Sequence, residues 1–358
     1  MKKRLLTFVM GALAIATATR AQENVKSDDD KVVRASTIKN TKGEVLYNEG
    51  VTLLEREDYE AAISKFTKAI AEKGGSFAEA YYNRGVAKEK MGSNEEAIKD
   101  YTAAIKQQPN ASAYFSRGRI YQEQGSFDKA DADYTEAVKH DPKMAKAYYY
   151  KGAIKFLSEL YEAAIEEYNK CIAADSTYYY AYNDRGSANR SLERYEAALE
   201  DYTNAIVINP SVDFLYSNRA AIFRLTNQYE EAIQDYDEAI QLAPENAMIY
   251  NNRGLAKLGK EDYEGALADF LRAKEYNAGY YQAFNNAGNA YYKQKKYAEA
   301  LVEYNKAIEI NREFGQAFLN RGIVKEMMRD EKGACSDWQK AVELNVPSAQ
   351  GYVAAQCN

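Results

Sequence analysis

One glycine position returns along the chain at a nearly fixed interval: Gly50, Gly85, Gly118, Gly152, Gly186, Gly254, Gly288 and Gly322, with Ala220 in the one missing place. The spacings are 35, 33 and then 34 residues throughout. Twelve residues further on stands an alanine in all nine periods, from Ala62 to Ala334. Seven beyond that is a second small column, alanine everywhere except Cys171. Self-similarity at this period means one supersecondary unit copied in tandem, each copy burying its apolar face on its neighbours. Length alone would suggest two or three domains for 358 residues, but an array grows as one continuous unit however long it becomes.

Inside each period the spacing is helical. Large residues lie four before the glycine: Leu46, Tyr81, Tyr114, Tyr148, Tyr182, Tyr216, Tyr250, Phe284 and Phe318. A second large column lies four after the invariant alanine: Phe66, Tyr101, Tyr134, Tyr168, Tyr202, Tyr236, Phe270, Tyr304 and Trp338. A four-residue step returns to the same helix face. The small columns let two helix backbones approach, and the aromatic columns fill the space beside them. Pro109, Pro142, Pro210 and Pro244 share one place between periods, where proline stops a helix.

The order of bulky residue, glycine, alanine, aromatic and proline over 34 residues resembles the tetratricopeptide repeat. YYNRGVAKEKMGSNEEAIKDYTAAIKQQPN (81 to 110) and YSNRAAIFRLTNQYEEAIQDYDEAIQLAP (216 to 244) carry it most fully. The likeness spans roughly residues 43 to 344. It implies an all-α, right-handed superhelical solenoid of antiparallel helix pairs with a concave groove lined by first helices. Nine repeats are expected over 43–346, at about 43–77, 78–110, 111–144, 145–178, 179–212, 213–246, 247–280, 281–314 and 315–346. Residues 347–358 read as a C-terminal capping helix, because the last hairpin otherwise has an apolar face with no neighbour.

One column departs from the family, which usually has an apolar residue before the glycine. Here stand Glu49, Arg84, Arg117, Lys151, Arg185, Arg219, Arg253, Ala287 and Arg321; sixteen later come Lys65, Asp100, Asp133, Glu167, Asp201, Asp235, Asp269, Glu303 and Asp337. Charges oppose in seven repeats, both signs reverse together in the first, and only Ala287 breaks the rule. The two columns are equidistant from the turn, so an antiparallel hairpin sets them at one height and predicts an ion pair between its helices. A row of arginines for an acidic ligand is the alternative, although such a row has no reason to swap both signs together.

The family's groove geometry implies that the column three before the glycine faces a ligand. It begins with four aromatics, Tyr47, Tyr82, Phe115 and Tyr149, and continues with Asn183, Ser217, Asn251, Asn285 and Leu319. Such a strip suits an extended or helical peptide; the same rings could instead pack on neighbouring helices. Arg119, Arg190 and Arg224, with Tyr180, Phe214 and Tyr292, are further groove candidates. Lacking a basic residue in that column, the chain departs from the family's clamp for a chaperone's carboxylate tail.

Composition narrows the chemistry. Among 32 tyrosines there is one histidine, His140, in an apparent turn before Asp141 and Pro142, which leaves almost nothing to build a histidine-based catalytic or metal site. No catalytic residue, metal site or cofactor is expected. Residues 1–21 read as an export signal: basic Lys2, Lys3 and Arg4, an apolar stretch from Leu5 to Ala18, and small Thr19 and Ala21 before a cut at Gln22. Removing them moves the formal charge from −6 to −10, which disfavours nucleic acid as a partner. Residues 22–42 read as a flexible charged leader. In the oxidising compartment beyond the membrane Cys335 and Cys357 become a possible disulfide, since both stand equally far from a turn at Val346. The expected function is a non-catalytic protein–protein interaction scaffold of the periplasm or cell envelope. Its partner would be a peptide or protein, with no membrane span in the mature chain. The alternative is a carbohydrate-binding or enzyme-accessory protein whose groove tyrosines stack on sugar rings.

Overall fold

A computed structural model describes residues 41–357. The expected signal sequence and all of the expected leader but its last two residues lie outside the described residues. The chain divides into two compact units with their boundary after Ala197.

The first unit holds the hairpins α1 (Lys42–Glu55) with α2 (Tyr59–Glu72), α3 (Ala78–Lys90) with α4 (Asn94–Gln107), α5 (Ala111–Glu123) with α6 (Phe127–His140), and α7 (Ala145–Leu157) with α8 (Tyr161–Ala174), followed by α9 (Tyr179–Ser191). Helix α10 (Tyr195–Ile208) carries the boundary. The second unit continues with α11 (Asp213–Leu225) and α12 (Tyr229–Leu242), α13 (Ala247–Gly259) and α14 (Tyr263–Tyr276), α15 (Tyr281–Lys293) and α16 (Tyr297–Ile310), α17 (Gly315–Met327) and α18 (Glu331–Glu343), and α19 (Ala349–Gln356). The described residues contain helices and no strands. The array begins at Lys42, one residue earlier than the sequence placed it, because Thr41 and Glu44 form a capping box that starts α1 there.

The columns pack as spacing demands. A methyl group placed on Gly85 would lie 2.8 Å from the Tyr101 ring, and one on Gly152 2.6 Å from Tyr168, so these glycines are the beds of their hairpins' second-helix aromatics. The invariant alanines are completely buried. Second helices then pack on the next first helix, as α2 on α3 and α12 on α13, and first helices of successive repeats also touch, as α1 with α3, α7 with α9 and α13 with α15. Each unit therefore presents one face built from adjacent first helices.

The turn inside every hairpin holds one residue in the left-handed region: Glu57, Gly92, Gly125, Glu159, Glu193, Asn227, Glu261, Lys295 and Arg329, with φ between 59° and 75°. Only Gly92 and Gly125 adopt it without the Cβ penalty. At the far end α19 packs on α18, and Cys335 and Cys357 are joined in a disulfide with their Cα atoms 5.5 Å apart. Cys171 is fully buried, and burial pushes its thiol pKa up.

Candidate partner-binding face

Charged columns first decide which side chains are already committed. Arg84 donates through Nε and Nη2 to both oxygens of Asp100 at 2.8 and 2.7 Å. Arg117 with Asp133 and Arg219 with Asp235 repeat those distances, and Arg253 with Asp269 and Arg321 with Asp337 make the same fork. The reversed pair of the first repeat, Lys65 and Glu49, meets at 2.5 Å. Lys151 is the weak member, with its Nζ 3.9 Å from Glu167.

The remaining guanidinium nitrogen has a role that sequence reading missed. It reaches back to the preceding repeat: Arg84 to Thr67 at 3.0 Å, Arg117 to Thr102 at 2.9 Å, Arg219 to Thr203 at 3.1 Å, Arg253 to Asp237 at 2.5 Å and Arg321 to Asn305 at 2.6 Å. Each arginine thus joins three helices in two repeats. The acceptor column directly follows the second-helix aromatic, and its one aliphatic member is Leu271. That gap falls where Ala287 replaces the arginine, and Glu303 is taken instead by Lys274 at 2.7 Å. The matching gaps in two columns were the signal that could have revealed the link.

The expected aromatic strip requires a correction. Tyr47, Tyr82, Phe115 and Tyr149 are between 0% and 4% exposed. Their rings fill the space between first and second helices, 5.7 Å from Phe66, 5.6 Å from Tyr101, 5.7 Å from Tyr134 and 6.0 Å from Tyr168 respectively. A ring so packed has no face left for a ligand to stack upon.

Hydrogen bonding places the polar members of the same column. Asn251 and Asn285 are buried, accepting at 2.9 Å from Asn286 and Asn320 of the following repeats. In the first unit the same inter-repeat step runs from Asn83 to the Tyr47 hydroxyl at 2.9 Å, and from the Tyr149 hydroxyl to Asp184 at 2.8 Å. Burial drives the Asp184 pKa up to about 6, against the smaller lowering by bonds from Tyr149 and Asn183. It likewise raises Tyr149 well above the ordinary phenol value.

The three arginine candidates separate. Arg119 is committed to Glu89 in an ion pair within the first unit. Arg224 keeps a buried Nε with no hydrogen-bond partner. Arg190 is 7% exposed and makes no ion pair among the described residues. Tyr180, Asn183, Ser187 and Arg190 follow at helical spacing along one face of α9, each at least nine-tenths buried.

His140 stacks on Tyr114 with ring centres 5.6 Å apart at the end of α6. Among the described residues no cluster of three or more His, Cys, Asp or Glu is placed to hold a metal ion, and no helix is long and apolar enough to cross a membrane.

Sequence profiles described as tetratricopeptide repeat match residues 78–110, 115–179 and 179–212, and one described as TPR repeat matches 220–260 and 288–328. Together they cover more than half of the chain. The chain belongs to the tetratricopeptide-repeat family. No curated protein matches it. Solved tetratricopeptide-repeat structures share the fold. One from Parabacteroides merdae is 20% identical with TM-score 0.50, covering 69% of this chain and 98% of its own. The C-terminal part of a repeat-containing protein from Cytophaga hutchinsonii is 17% identical with TM-score 0.51, covering 76% and 98%. The Cut9–Hcn1 hetero-tetramer of APC/C reaches TM-score 0.54 at 13% identity, covering 88% and 76%. In this tetratricopeptide-repeat chain the first-helix faces therefore combine a buried amide network with two arginines, Arg190 and Arg224, that make no ion pair among the described residues.

Proposed function

We propose that the chain is a non-catalytic scaffold of the cell envelope that holds a peptide or partner protein along its first-helix faces. Arg190 carries the reading. A cation nine-tenths buried without a carboxylate is costly, and a carboxylate brought by a ligand would make the charge-assisted bond that Arg84, Arg117, Arg219, Arg253 and Arg321 already have. Export is supported by Lys2, Lys3 and Arg4 ahead of an apolar stretch, and by the Cys335–Cys357 bond, which persists in oxidising compartments. The sugar-stacking alternative loses its tyrosines to the interior.

The test is a phage-displayed peptide selection against the mature chain starting at Gln22. Enriched peptides should carry an acidic residue, and Arg190→Ala should weaken their binding by about tenfold, the scale of one charge-assisted contact. Failure to enrich any peptide, or binding indifferent to both Arg190→Ala and Arg224→Ala, would sink the proposal.

A further inference from the structure

The last helix is fastened differently from the others. Arginine clamps or equivalent ion pairs reinforce most hairpins, whereas Pro347 to Asn358 contain no charged residue. Among the described residues no ion pair joins α19 to α18. What holds it is apolar contact: Ala349 is fully buried, Val346, Tyr352 and Val353 are half-buried, and the Tyr352 ring lies 5.0 Å from Trp338. Eight residues are too few to keep an isolated helix formed in water. One covalent tie remains, between Cys335 near the start of α18 and Cys357 at the end of α19. Both sulfur-bearing residues are partly exposed, so a reductant can reach them.

We propose that Cys335–Cys357 is a redox latch on the end of the array, and that its reduction releases α19 and uncovers Trp338. A dithiol reductant would work it by exchange. One thiolate attacks a latch sulfur, breaking the S–S bond and forming a mixed disulfide. The reductant's second thiol then displaces the bound cysteine. Two electrons pass to the protein, Cys335 and Cys357 leave as thiols, and the reductant departs as its cyclic disulfide. The released helix keeps no ion pair among the described residues to bring it back, only the weak Cys335 Sγ contact with the Gln356 carbonyl at 3.5 Å, while the surface of Trp338, Ala341 and Val342 beneath it becomes available. Buried Cys171 takes no part.

Trp338 is the chain's one tryptophan, so its emission reports this site alone. The experiment records the emission spectrum and iodide quenching of the mature chain, oxidised and then treated with dithiothreitol. Mass spectrometry of alkylated protein confirms the state of each thiol. Reduction should shift emission to the red and raise the quenching constant several-fold, with far-ultraviolet dichroism nearly unchanged and full reversal on reoxidation. Cys335→Ser/Cys357→Ser should behave as reduced without dithiothreitol; if that variant does not fold, reduction of the natural chain carries the test alone. Unchanged quenching with both thiols shown to be free overturns the latch. So does the absence of the bond in oxidised protein, or collapse of the whole array on reduction. None of these readouts depends on peptide binding.

Discussion

At the residue scale, Asp184 is the outlier. Its register position holds Asn83, Asn218, Asn252, Asn286 and Asn320 in other repeats, and the amides of Asn83, Asn286 and Asn320 make the inter-repeat bond without charge. Burial raises Asp184 to about 6 from 3.8. The folded chain therefore binds this proton more tightly than the unfolded chain does. Stability from this group is greatest below pH 4, falls as pH rises from about 4 to 6, and stays low above. Asp184→Asn should remove that dependence, raising stability at pH 7.5 by up to about 3 kcal/mol and leaving it unchanged near pH 4. Urea midpoints at the two pH values check this; equal effects at both would refute it. Sequence reading had no way to see this residue, because an aspartate among asparagines is visible but its complete burial is not.

At the scale of the hairpin, one clamp is incomplete. Lys151 carries a single ammonium and reaches Thr135 at 3.0 Å while standing 3.9 Å from Glu167. One oxygen of that glutamate is buried with no hydrogen-bond partner. A guanidinium on a planar fork can satisfy both oxygens and the threonine together, as Arg84, Arg117 and Arg219 do in three other hairpins. Lys151→Arg/Glu167→Asp should stabilise the array by about 1 kcal/mol, seen as a higher urea midpoint and slower amide exchange in α7 and α8. No gain would mean that the fork contributes register alone. The paired charge columns were legible because they keep fixed distances from the turn. The third contact of each arginine was not, since it crosses to the preceding repeat and its acceptors are an unremarkable mixture of threonine, asparagine and aspartate. The left-handed turn residues were hidden for a similar reason: in seven hairpins the position holds a residue other than glycine.

At the scale of the molecule, the period of the small residues dictated helix pairs, because only glycine and alanine permit the observed approach of helices. The same pattern was silent about the direction of the tyrosines. A column three before the glycine can face either a groove or the second helix, and a four-residue step does not distinguish them. Packing does: aromatic partners such as Phe66, Tyr101, Tyr134 and Tyr168 draw those rings inward. Recognition is proposed to fall to Arg190 on α9 in one unit and to Arg224 on α11 in the other. Hydrogen–deuterium exchange of the mature chain, with and without a selected peptide, tests this most directly. New protection confined to segments from first helices, α9 foremost, is the result expected. Protection confined to the second helices α8, α12, α14 or α16 would contradict it.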